Sequence, residues 1–115
     1  MTDTTPTPDQ IRSILQKAGD AANFEARKHE DKLPCGFAWI TFTGVRGNTA
    51  LGRALKAAGV SFGNINTSYR REFYLWGTGW FLGQSIDAHE ACCKAAIKVL
   101  HAHGLTQARM NSRLD

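Results

Sequence analysis

No apolar run in the chain approaches the roughly 20 residues that a helical membrane span requires. A bilayer partner is therefore not expected. The opening stretch, MTDTTPTPDQ, is polar and acidic where a secretory leader is basic and then apolar, which predicts a protein that stays in the cytosol where it is made. Cysteine is scarce. Cys35, Cys92 and Cys93 are odd in number with two of them adjacent, unlike the even, spaced framework of a secreted disulfide scaffold, and reduced thiols are expected. At 115 residues there is no room for a second domain, and no internal repeat or low-complexity tract occurs beyond the Thr- and Pro-rich first seven residues.

Signatures of chemistry are missing as well. Gly77-Thr78-Gly79 and the Gly44 to Gly47 stretch have the glycine content of a phosphate loop without its Lys-Ser/Thr ending, and turn formation accounts for both. His89 and Cys93 stand one helical turn apart, a spacing that can hold Zn²⁺, but a third ligand from Cys35, His101 or His103 has no informative spacing. Apolar packing of the cysteines and surface exposure of His89 are the expectation. The Pro-Cys-x-x-Cys partner of a zinc deaminase is absent, and no sequence neighbour orients a Cys35–His nucleophile and base. The chain is accordingly expected to be no enzyme and to hold no metal or cofactor. Gly83-Gln84-Ser85, before the last helix, suits either an anion at a helix N-terminus or simple capping.

What the sequence does have is a modest positive charge, aromatics and regular patterning. The 14 Lys and Arg outnumber the 10 Asp and Glu, giving +4 and a pI near 9.2, but the basic residues are scattered, which favours a polyanion only mildly. Residues 1–7 read as a frayed tail. Thr7, Pro8 and Gln10 form a capping-box arrangement that predicts a helix from Pro8 to about Lys28, with a thin stripe of Ile11, Leu15, Ala18, Ala22 and Ala26. So little apolar area predicts a weakly docked arm, with a linker to residue 32. Strands are expected at 35–42, within 60–70, at 72–76 and within 106–114, and helices at 49–58 behind Asn48 and at 88–103 behind Asp87 and Glu90, with Gly59 and Gly104 as terminators.

The succession strand, helix, strand, strand, helix, strand over residues 33–115 predicts an α+β fold, a ferredoxin-like split β-α-β with an antiparallel sheet and an extra N-terminal helix. Two helices would cover one sheet face. On the other, Trp39 with Phe37 and Tyr74 with Trp76 could stack bases as the first and third strands of an RNA-recognition domain do, although the glycine-and-aromatic signature of that domain is absent. Alternatively, these rings pack against the N-terminal helix or a second subunit.

Pro34-Cys35-Gly36-Phe37-Ala38-Trp39, Gly83-Gln84-Ser85 and the terminal Ser112-Arg113-Leu114-Asp115 together resemble a group of small proteins encoded by tailed bacteriophages and prophages. The resemblance covers roughly residues 34 to 115 and leaves the N-terminal helix unmatched. It implies a phage accessory protein made in the bacterial host cytoplasm, and it transfers no catalytic residue.

Three functions are compatible with this sequence. The first is a nucleic-acid-binding module for RNA or single-stranded DNA, using Trp39, Tyr74 and Trp76 for bases and Arg46, Arg70, Arg71, Lys94 and Lys98 for phosphates. The second is an inhibitor or adaptor bound to a host protein, for example in counter-defence. The third is a small homo-oligomer of structural role.

Overall fold

The computed structural model describes residues 5–30, 34–63, 71–76 and 85–114. Helix α1, Pro8–Ala26, starts as the capping box predicts: the Thr7 hydroxyl accepts from the Gln10 amide at 3.2 Å, and the Gln10 side chain accepts from the Thr7 amide at 2.8 Å. It ends two residues early, where the amides of Lys28 and His29 donate to the carbonyls of Glu25 and Ala26 in a tightened last turn.

Strand β1, Gly36–Phe42, is followed by α2, Ala50–Ala57, then β2, Ser61–Gly63, β3, Glu72–Trp76, α3, Ile86–Ala102, and β4, Ala108–Leu114. Much of the expected second strand falls on residues 64–70, outside the described residues. Helix α2 begins on a cap other than Asn48, and α3 begins on Ser85, which the sequence offers as a cap beside Asp87. Thr49 rather than Asn48 caps α2, because its hydroxyl both donates to the Arg46 carbonyl and accepts from the Gly52 amide. Ser85 rather than Asp87 caps α3, held there by a β-bridge to Cys35 and by the Ile86 amide donating to the Pro34 carbonyl. Gly59 and Gly104 terminate their helices at φ of 94° and 92°, a region closed to most side chains.

The four strands make one antiparallel sheet in the order β2-β3-β1-β4. Period-two alternation sends Ala38, Ile40 and Phe42 to one face, and these join Phe73, Leu55, Ala96 and Leu100 in a single core. Helix α3 lies over β1 and β4, and α1 packs chiefly on α3 while touching α2. Ile11, Ile14, Ala18 and Ala22 are buried in that same core. Thus α1 is a structural part of the helical side of the protein rather than a loosely held arm, and its buried residues lie with Ala38 and Ile40, not with Trp39. Its alanines succeed where the sequence alone suggests weakness, because small side chains let two helices approach closely.

Being packed on the sheet and on α1 together, α3 buries more than one stripe: Ile86, Ala88, His89, Cys92, Cys93, Ala96 and Leu100. His89 is 4% exposed, which overturns its expected surface position.

Candidate functional site

The register of the central strands decides which side chains share the face away from the helices. Phe37, Trp39 and Thr41 alternate onto it from β1. Pairing of Thr41 with Tyr74 brings β3 alongside, and pairing of Phe37 with Arg113 and Trp39 with Asn111 brings β4 to the other flank. The expected Trp39 and Tyr74 therefore do meet on one face. Trp76 is described only as the strand partner of Trp39.

This face is not an open platform at its centre. Trp39 is 3% and Thr41 2% exposed, so Trp39 cannot offer a ring face to a base in this conformation. Access is better toward the β1–β4 end. Phe37 is half-buried with its ring centroid 5.7 Å from that of Trp39, and the exposed Arg113 places its guanidinium 5.9 Å from the Phe37 centroid, within reach of a cation–π attraction. Tyr74 is half-buried on the β3 flank. Arg109 shares the alternation but turns to the strand end, donating to the carbonyls of Thr106 at 2.6 Å and Ala108 at 2.8 Å, beside His101.

The described parts of the three quoted motifs converge at that end. Cys35 bridges Ser85, Gly36 faces Leu114 and Phe37 faces Arg113. A Cβ on Gly36 would stand 2.6 Å from the Arg113 carbonyl oxygen and 2.9 Å from Ile86 Cβ, so the absence of a side chain there lets all three segments close together. The Ser112 hydroxyl donates to Glu90 Oε2 at 2.5 Å and fastens the end of β4 to α3.

The remaining phosphate candidates are distributed elsewhere. Arg46 and Arg71 line one pocket of about 640 Å³ with Phe62 and Glu72. There the Arg71 guanidinium lies 4.9 Å and the Lys56 ammonium 5.0 Å from the Phe62 ring centroid. Arg70 lies outside the described residues. Lys94 and Lys98 are exposed on α3, which covers the opposite sheet face, and they flank a groove beside Ala21 and Phe24 of α1.

Burial explains the chemistry of the helix α3 thiols. Desolvation pushes Cys93 up to about 12, with Cys92 and Glu90 adding to it, and pushes Cys92 up to about 11, with Glu25 adding. Such thiols are protonated at neutral pH and inert as nucleophiles. No group of three or more His, Cys, Asp or Glu is placed to hold a metal among the described residues.

Two residues escaped the sequence reading. Arg113 stands in the Ser112-Arg113-Leu114-Asp115 motif, but its place beside Phe37 follows from the β1–β4 register, which the sequence does not carry. Phe24 lies off the buried stripe of α1, and its position gave no signal beyond that. No protein-family model matches the chain, and no match was found among curated proteins or solved structures.

Proposed function

We propose that the chain is a non-enzymatic binding module of ferredoxin-like topology that recognises single-stranded nucleic acid along the β1–β4 end of its helix-free sheet face. The observation that carries this is Arg113 over Phe37, a guanidinium and a ring placed together beside Trp39. The strand order β2-β3-β1-β4 supports the topology, since it is the order in which a split β-α-β places its first and third strands centrally. Tyr74 keeps its expected stacking role, and Phe37 takes the place of the buried Trp39. Arg113 supplies the phosphate contact. The phage resemblance of the converging motifs suggests an accessory protein acting in the bacterial host cytoplasm.

Titration of labelled single-stranded RNA and DNA at two salt concentrations tests this. Binding that weakens steeply as salt rises supports it, because each neutralised phosphate releases counterions. Absence of salt-dependent binding at micromolar protein sinks it.

A host-protein adaptor is the second reading, favoured by the exposure of Phe24 on the far side of the molecule.

A further inference from the structure

Phe24 is 59% exposed, and with Leu114 it is one of two large hydrophobic side chains left in that state among the described residues. It stands at the edge of a groove of about 530 Å³ between α1 and α3. The groove is floored by Ala21 on one side and by Ala91, Ala95 and Val99 on the other. Two helices side by side with small residues between them leave a trough in which a third helix can lie close, its own apolar side chains at i, i+3, i+4 and i+7 acting as anchors.

Charge selects the occupant. Lys94 and Lys98 are exposed on one rim, one helical turn apart, and neither forms an ion pair among the described residues. Glu25, the carboxylate among the lining residues, is already engaged: Lys28 Nζ and His29 Nε2 each lie 3.3 Å from its oxygens, and these hydrogen bonds hold its carboxyl below the ordinary range. Lys28 in addition lies 4.9 Å from the Phe24 ring centroid. The result is an apolar trough with a positive rim. A second copy docked groove to groove about a two-fold axis would bring two Lys94–Lys98 rims into one interface, between chains that each already carry +4.

We propose that the α1–α3 groove docks an amphipathic helix of an acidic protein partner, its apolar stripe on Phe24, Ala95 and Val99 and its carboxylates toward Lys94 and Lys98. This site is separate from the helix-free sheet face.

The probe is a synthetic helical peptide with leucines at i, i+3, i+4 and i+7 and glutamates on both flanks, compared with the same peptide carrying lysines in place of the glutamates. Isotope-labelled protein titrated with the glutamate peptide should shift the amide signals of Ala21, Phe24, Ala91, Ala95 and Lys98, and binding should weaken as salt is raised. The lysine peptide should bind at least about tenfold more weakly, and so should the glutamate peptide to Phe24→Ala or to the Lys94→Glu, Lys98→Glu double variant, the size of effect a buried anchor gives. These side chains are exposed, so the variants keep the fold, which the unperturbed remainder of the spectrum verifies. Equal binding of the two peptides, shifts confined to another surface, or no binding at about millimolar peptide, the weak end of the affinity scale, overturns the proposal. So does a dimer in sedimentation that Phe24→Ala dissociates, which would make a second copy the occupant.

Discussion

Asn111 donates from Nδ2 to the Thr41 hydroxyl at 2.8 Å, a diagonal contact across β1 and β4 in the closed centre of the helix-free face. Thr41 is 2% exposed, so water cannot readily replace that donor. Asn111→Ala should therefore destabilise the protein by about 1 kcal/mol, whereas Thr41→Val with Asn111→Leu, which removes both partners, should cost less. Urea midpoints of the single and double variants check this. A double variant as unstable as the single would show that the contact is not what holds the pair.

The burial of α1 gives a second expectation. Ile11 is 0% exposed and Phe24, on the same helix, 59%. Ile11→Ala should lower unfolding free energy by about 2–5 kcal/mol through lost burial and a residual cavity, and Phe24→Ala by no more than about 0.5 kcal/mol. Similar small losses at both positions in denaturant melts would return α1 to the status of a loose arm.

Local signals read well from the sequence where the physics is local. The Thr7, Pro8 and Gln10 start of α1, the bounds of β3 and the glycine ends of α2 and α3 all depend on a few neighbouring residues. What the sequence does not carry is which faces meet. His89 looked like an exposed residue on an amphipathic helix, but α3 is packed on two sides, and that depends on where α1 docks. Ser85 rather than Asp87 is the cap because a segment distant in sequence, Pro34 and Cys35 ahead of β1, pins it. Trp39 was legible as an outward-alternating ring on β1, yet its closure depends on tertiary packing that alternation alone does not encode.

Gly52 offers a sharper local expectation because two effects oppose each other there. Within a helix, glycine is about 1 kcal/mol worse than alanine, so substitution would ordinarily stabilise α2. Here a Cβ would stand 2.1 Å from the Arg46 carbonyl oxygen, backbone that cannot step aside without moving the loop that caps the helix. Gly52→Ala should destabilise by about 1–3 kcal/mol, the usual range for overpacking. An increase in thermal midpoint would mean that the loop yields freely.

Raised thiol pKa values fix a sign for alkaline stability. The folded protein keeps protons on Cys92 to about 11 and on Cys93 to about 12, while the unfolded chain releases them near 9.0. Above that lower value the unfolded state binds fewer protons, so stability falls as pH rises toward the folded values, and the contribution is fully present below it. Denaturant midpoints measured from pH 8 to 11 should decline, and a Cys92→Ala, Cys93→Ala variant should show a flatter alkaline limb from a lower starting stability. At pH 8 a thiol reagent should label half-buried Cys35 well before the two helix α3 thiols. Parallel limbs in the two proteins would remove the thiols as the cause.

The two proposed surfaces can be separated by charge deletions at positions that the sheet and helices hold apart. If nucleic acid runs along the β1–β4 end of the sheet, Arg113→Ala removes one phosphate contact and should reduce the slope of log affinity against log salt by about 1. It should act similarly on all sequences, as a backbone contact does. Phe37→Leu keeps apolar volume but deletes a stacking ring, and should weaken binding by about 1–3 kcal/mol with little change in the slope. Lys94→Ala with Lys98→Ala should leave both quantities as they are, because α3 turns those side chains away from the helix-free face. Fluorescence titrations of one oligonucleotide across a salt series measure all three. If the lysine pair lowers the slope and Arg113→Ala does not, the polyanion lies on the α1–α3 side, and the ring beside it is Phe24 rather than Phe37.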